Sequence, residues 1–370
     1  MEANTGKRVA MYIPSLRPGG AERVTLNLAE GFVEAGFTVD LLVAKEEGNL
    51  LGSFDSRINV VRFEASSTFA SIGALANYLK TKPDGLISAL THANVITSLA
   101  VKWARYRGPV IYAVHSTFSI EVGENASRKH RLVSKLVRSV YRKASRLVTV
   151  SSGVAEDLAA TLGIERSRIR VIFNPVITAS MLEKANEEPK HAWLVHKDRP
   201  VVISVGTLRP EKDFETLIRA FKIARQAKPS RLIIFGEGDE RAKLESVVFE
   251  LGLRDDVHLA GFTANPYAEM SHSDLYVLSS RREGLPGALI EGIACGLPAV
   301  ATDCPSGPNE VLEGGRYGKL VPVGDVSALA TAIISSLDHP IDIPKESWRR
   351  FERDHVVQEY AELLFGEIGR

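Results

Sequence analysis

Two signatures alternate along this chain from its first residues: short, almost wholly apolar runs of strand length, and longer stretches with apolar positions at helical spacing. Arg8–Ile13 is the first apolar run. Residues 21–35 then place Val24, Leu28 and Phe32 on one helix face and stop at Gly36. Residues 38–44 form a second near-continuous apolar run, the pattern of a strand buried on both faces. The alternation continues through 169–172. Strands separated by helices predict parallel sheets with crossover connections, an α/β fold. At 174–200 the periodicity lapses into prolines and charges, and it restarts with an apolar run at 200–205. The chain therefore reads as two doubly wound, Rossmann-like units. The first spans 1–175, a linker 176–199, the second 200–346, and an amphipathic C-terminal helix 347–370 carries Trp348, Phe351, Val356, Tyr360, Leu363 and Leu364. A length of 370 residues suits two domains of ordinary size. In such folds ligands bind outside the carboxyl ends of the strands.

Charge separates the halves. Residues 1–186 hold 24 Lys/Arg against 16 Asp/Glu, and the remainder 22 against 29, although the whole chain is only +1. That total excludes a strongly basic nucleic-acid packer, and no nucleic-acid partner is expected. Much of the positive excess lies in residues 128–146: Arg128, Lys129, Arg131, Lys135, Arg138, Arg142, Lys143 and Arg146, with no acid among them. Leu132, Val133, Leu136, Val137, Val140 and Tyr141 give that stretch an apolar face, so it is a basic amphipathic helix. Such a helix can rest on anionic lipid, or it can pack on its own sheet with its cations in water. The two cysteines, Cys295 and Cys304, are too few for a disulfide-built secreted fold and fit a cytoplasmic protein. The first apolar run is too short for a signal peptide, and no run reaches membrane-spanning length.

Three loops carry candidate chemistry. Pro18-Gly19-Gly20 lies between the first strand and the first helix, where backbone amides can approach an anion. Arg209-Pro-Glu-Lys212 follows the first strand of the second unit; its two cations can clamp a diphosphate, or can be a solvated pair. The most specific pattern is Glu283-Gly-Leu-Pro-Gly-Ala-Leu-Ile-Glu291. Its first carboxylate sits in a loop, its second about a turn inside the next helix. The amides near Gly287 and Ala288 suit phosphate oxygens. Glu291 can accept from a ribose diol and Glu283 from sugar hydroxyls. Glu291 lies among Ile290, Ile293 and Ala294, where a charge needs a partner. A Walker lysine pattern and the full dinucleotide fingerprint are both missing, Gly236-x-Gly238 lacking a third glycine.

With these motifs in this order, the sequence resembles the retaining glycosyltransferases of family 4, with the GT-B fold: two Rossmann-like domains facing each other across a cleft. The resemblance rests on the Gly-Gly loop, His115 after the run Val110–Val114, Arg209-x-x-Lys212 and Glu283-x7-Glu291, and it runs along essentially the whole chain. It implies that Gly19 and Gly20 contact the donor phosphate or transferred sugar. Arg209 and Lys212 would neutralise the departing diphosphate. Glu291 would bind ribose, and Glu283 would hold the sugar and orient its anomeric carbon. Residues 261–263, with Thr263, fall where the family's backbone reads the base. His115 would bond the donor sugar near the reaction centre; alone, a histidine there is more often structural.

The reaction so implied moves a sugar from a nucleotide-sugar donor, UDP by default, to a glycan or lipid-linked glycan acceptor with retention. No Asp-x-Asp occurs, so the expectation is catalysis without metal or cofactor, with positive side chains and helix amides stabilising the charge on the leaving diphosphate. The resemblance places the acceptor with the first half, at the cytoplasmic face of a membrane. Two other readings compete: a non-catalytic nucleotide-sugar-binding partner or sensor, and an inverting enzyme of the same fold.

Overall fold

The computed structural model describes residues 6–16, 19–45, 55–119 and 128–366, the side chains of 128–135 aside. The chain forms two compact units. One runs to Val176 and resumes at Phe351; the other is Ile177–Arg350.

The first unit contains β1 (Arg8–Ile13), α1 (Gly20–Glu34), β2 (Thr38–Val43), β3 (Asn59–Arg62), α2 (Ile72–Leu79), β4 (Gly85–Ala89), α3 (Thr91–Ala104), β5 (Val110–Val114), α4 (Arg128–Lys143), β6 (Arg146–Thr149), α5 (Ser152–Leu162) and β7 (Ile169–Val171). The strands lie in the order β3-β2-β1-β4-β5-β6-β7, and each neighbouring pair is parallel. β1 is central, with Val9 opposite Val39 on one side and Gly85 on the other. Both faces of β1 are covered, which is why its apolar run hardly alternates. Right-handed crossovers put α1 on one face of the sheet and α2, α3, α4 and α5 on the other, because the chain moves outward from β1 in opposite directions.

The second unit contains α6 (Ala179–Ala185), β8 (Val201–Val205), α7 (Phe214–Ala227), β9 (Arg231–Phe235), α8 (Arg241–Glu250), β10 (Val257–Gly261), α9 (Pro266–Ser271), β11 (Leu275–Leu278), α10 (Gly287–Ala294), β12 (Ala299–Thr302), α11 (Pro308–Val311), β13 (Lys319–Val321) and α12 (Val326–Asp338). Its parallel sheet runs β10-β9-β8-β11-β12-β13. Leu217, Phe221, Leu232, Ile234, Val277, Val300, Leu329 and Ile333 form its core. Of residues 176–199, read from sequence as a linker, all but Val176 are folded onto this unit. Asn265 Nδ2 donates to the Lys184 carbonyl (2.8 Å) and Ser271 Oγ to that of Ala185 (2.6 Å). The Lys190 and His191 amides donate to the buried Glu269 carboxylate (3.1 and 3.3 Å). These bonds reach some 80 residues along the chain and leave no local period.

The chain then returns. The stretch expected as one C-terminal helix breaks at Glu352, whose extended backbone (ψ 135°) separates the 3-10 turn Arg349–Phe351 from α13 (Arg353–Phe365). α13 belongs to the first unit, where Val356, Tyr360 and Leu364 enter the core beside Leu28 and Phe32. A side chain at Gly31 would place Cβ 2.5 Å from Val357, so the two helices approach closely there. Arg353 pairs with Glu30 (3.1 Å) and Glu34. Among the described residues no helix is long and apolar enough to cross a membrane.

Candidate active site

In the second unit the topology switches between β8 and β11: the chain builds outward from β8 through β9 and β10, then from β11 through β12 and β13. Ligands of open α/β sheets bind at such a point. The loops leaving β8, β11 and β12 are therefore neighbours, and they carry Lys212, Glu283 and Ser306.

Lys212 Nζ and Ser280 Oγ both donate to one oxygen of Glu283, each at 2.6 Å. The Glu283 side chain is 10% exposed, so its charge is held by bonds rather than by bulk water. The Lys212 main chain is fixed in turn: Ser279 Oγ donates to its carbonyl (2.8 Å), and the Arg281 amide to that of Glu211 (2.8 Å). From the β12 side, Ser306 Oγ donates to the Glu283 carbonyl and Thr302 Oγ1 to that of Ser280. Gly307 has φ +94°, a conformation costly for other residues, and a Cβ there would meet Pro286 Cδ at 2.5 Å. The loop after β12 thus buttresses the glutamate loop.

Arg209 goes elsewhere. It is exposed and, with Pro210, Asp213, Arg219, Lys243 and Arg281, lines a polar depression of about 430 Å³ beside the first turns of α7 and α8. The two expected diphosphate cations so occupy different surroundings. Asp213, at φ +48°, accepts from Thr216 Oγ1 (2.8 Å) and pairs with Arg281 (3.0 Å). Gly236 explains the glycines that miss the dinucleotide pattern. Its φ is +144° and a Cβ there would lie 1.9 Å from the Gly206 carbonyl oxygen, so the loop after β9 can run against the loop holding Lys212.

Glu291 lies half-buried on α10, and Tyr267 OH donates to it (3.3 Å). Gly292 next to it lets α10 seat on the Tyr276 ring, 2.9 Å from where a Cβ would be. Burial, with Glu291 and Glu283 nearby, pushes the Tyr276 hydroxyl pKa up, so it stays neutral. Gly287 and Ala288 open α10, and a Cβ on Gly287 would meet nothing within 4 Å. Thr263 follows β10, its Oγ1 accepting from the Asn265 amide (3.3 Å). Cys295 and Cys304 flank this region as free thiols, both pushed up to about 12 chiefly by burial, which makes them poor nucleophiles.

The first unit has its own switch point, between β1 and β4. Gly19 caps α1 and Gly20 begins it; both are exposed, and a Cβ on Gly20 would touch nothing within 4 Å. Pro18 lies outside the described residues. His115 follows β5. Burial drives its pKa down to about 4, against a hydrogen bond with the Asn174 side chain that raises it. Its Nδ1 is wholly buried and has no partner. His115 also lines a void of about 10 Å³ with Tyr12, Thr25 and Tyr360, room for one water at most. The imidazole is therefore neutral at ordinary pH, a hydrogen-bonding group rather than a charge.

Sequence reasoning missed Ser280, Tyr267 and Asn174, and gave Ser306 no role. Ser280 alone had a local signal, three residues before Glu283. The others come from distant segments: Ser306 follows β12, Tyr267 lies on α9 and Asn174 follows β7. Among the described residues, no group of three or more His, Cys, Asp and Glu side chains is placed to hold a metal ion.

The family model described as Glycosyltransferase Family 4 matches residues 18–180, and that described as Glycosyl transferases group 1 matches 186–355. An uncharacterised glycosyltransferase of Methanocaldococcus jannaschii is 31% identical over 193 residues, 50% of this chain and 47% of the relative. An N-acetylgalactosamine-N,N'-diacetylbacillosaminyl-diphospho-undecaprenol 4-alpha-N-acetylgalactosaminyltransferase of Campylobacter jejuni is 32% identical over 208 residues, 56% of this chain and 55% of the relative. The matched region thus spans about half the length of these curated relatives. In fold, the Anabaena protein HepE, solved with UDP and glucose, superposes with a TM-score of 0.77 at 22% identity, over 96% of this chain and 98% of that one. A glycosyltransferase from Rickettsia africae gives 0.79 at 18%, over 98% and 100%.

Proposed function

The chain belongs to the family 4 glycosyltransferases of GT-B fold, and on that premise we propose that it transfers a sugar, with retention and without a metal ion, from a UDP-sugar to a glycan or lipid-linked glycan. The observation that carries this reading is the convergence of Lys212 and Ser280 on one oxygen of Glu283, with Ser306 holding that residue's main chain. Glycosyl transfer develops positive charge at the anomeric carbon and negative charge on the departing diphosphate. A fixed carboxylate beside a fixed ammonium meets both demands with little reorganisation. Lys212, held on one oxygen of Glu283, has further N–H groups for the diphosphate oxygens, and the other carboxylate oxygen accepts from sugar hydroxyls. Glu291, with Tyr267, takes the ribose diol. The first-turn amides of α10, at Gly287 and Ala288, add partial positive charge. HepE, solved with UDP and glucose, supports UDP as the donor nucleotide. Neutral His115 and the Gly19-Gly20 amides serve the sugar.

The Campylobacter relative, named for a diphospho-undecaprenol substrate, supports a lipid-linked acceptor. The basic stretch 128–146 meets the anionic surface that carries it. Thermal shifts with UDP-, GDP- and ADP-sugars test the donor, since a ligand of the native state raises its stability. A UDP-sugar shift, an α-linked product by NMR and full activity in excess chelator are expected. A UDP shift with neither transfer nor donor hydrolysis overturns the catalytic reading in favour of a binding subunit.

A further inference from the structure

Three neighbouring helices of the first unit, α2, α3 and α4, share one face of its sheet. Between residues 65 and 119 the only acid is Asp84, which lies in the loop between α2 and β4 and accepts from the Arg8 amide (2.7 Å); residues 125–155 hold none. All three helices are thus free of acidic side chains, while Lys80, Lys102, Arg105 and Lys143 are exposed. Large apolar side chains stand out on the same face. Trp103 is 68% exposed, Phe69 54%, and Leu99 and Leu136 42% each. Leu99 and Trp103 are one turn apart on α3. The Trp103 ring lies over Gly73 of α2, 3.7 Å from where a Cβ would be, and Phe69 precedes Gly73 by one turn. Leu136 is on α4 alongside.

Part of α4 is committed to the fold. Arg138 Nε donates to the Leu162 carbonyl (2.9 Å) and Arg142 to that of Gly163 (3.2 Å), satisfying the end of α5. The cations of α4 are therefore only a fraction of what meets a membrane.

We propose that the outward faces of α2, α3 and α4 form a single surface that lies on an anionic lipid bilayer. Phe69, Leu99, Trp103 and Leu136 enter the headgroup region, and Lys80, Lys102, Arg105 and Lys143 pair with lipid phosphates. The chemistry is that of an interfacial anchor: an aromatic belt residue, aliphatic side chains around it, and cations whose stems reach outward. This deepens the reading of a lipid-linked acceptor and rests on it.

The test uses the full chain with vesicles of phosphatidylcholine alone or mixed with phosphatidylglycerol. Sedimentation with the mixed vesicles only is expected, with a blue shift of tryptophan emission and quenching by brominated lipid. Trp348 is buried and Trp193 half-buried, so the signal belongs to Trp103. Trp103→Phe removes the quenching but keeps sedimentation. Trp103→Glu and Leu99→Glu each weaken sedimentation at least about tenfold, with melting temperature and UDP response unchanged. Salt-sensitive vesicle binding that survives both glutamate variants overturns the proposal and leaves the basic stretch alone as the contact. Absence of any vesicle binding overturns both. A dimer in ultracentrifugation that Trp103→Glu dissolves, without vesicle binding, overturns the proposal by assigning the face to a second copy. Because the UDP response is read separately, none of these outcomes is confused with failure of the donor site.

Discussion

The two switch-point crevices are built by the same topology yet differ in how their polar groups are satisfied. In the second unit Glu283 already holds an ammonium and a hydroxyl, and its main chain is tied from the next loop. In the first, Gly19 and Gly20 are exposed, and a neutral His115 keeps one ring nitrogen buried without a partner. One crevice is an assembled electrostatic device; the other is largely backbone and an imidazole. Charge must be held in place before it stabilises a transition state, whereas amides on a rigid sheet edge are placed by the fold itself.

That contrast breaks most sharply at Glu283. Glu283→Ala should lower turnover, read as transfer or donor hydrolysis, by roughly 10²–10³-fold, the scale of losing a preorganised electrostatic group. Turnover within about threefold of the parent, under ~0.7 kcal/mol, would sink the assignment. Next are the glycines. Gly236→Ala drives a Cβ into the Gly206 carbonyl in a strained conformation and should cost about 3 kcal/mol in denaturant unfolding. Gly20→Ala meets open space, so stability should hold within about 0.5 kcal/mol while the donor KM rises. Equal destabilisation by the two would erase the contrast. Ser306→Ala should cost about 1 kcal/mol of stability and lower kcat more than it raises KM, with Ser306→Thr restoring part. An unchanged kcat would reduce the β12 loop to packing.

The smallest effect is on pH. His115 and His191 are both held down to about 4 from an ordinary value of 6.5, mainly by burial. The unfolded chain therefore binds more protons between those values, and stability should decline as pH falls from about 6.5 toward 4. His115→Asn should flatten part of that slope in thermal melts from pH 7 to 4; an unchanged slope would mean that the imidazole is solvated.

The alternation of runs made both sheets legible, because a buried parallel strand writes itself as a continuous apolar run. Glu283-x7-Glu291 was legible as well, since a loop and the helix after it are local. What could not be read came across the sheet. Ser306 reaches Glu283 only because β12 lies beside β11, and no spacing encodes that adjacency. Arg209 and Lys212 look equivalent in sequence, yet the turn Pro210–Lys212 sends one toward α8 and the other toward Glu283. The stretch 177–199 shows no local period because α6 and the chain after it are stabilised by bonds to residues some 80 positions away.

The chain leaves the first unit at Val176 and re-enters it at Phe351, where the Val176 amide meets the Phe351 carbonyl (3.1 Å). In the order in which a ribosome makes it, the unit that is begun first is finished last. Its core stays open to water on the α1 face until an entire second domain has been translated. Val356, Tyr360 and Leu364 then arrive to close it, so a nascent chain arrested anywhere in between holds an apolar surface that a chaperone, or another such chain, is free to find.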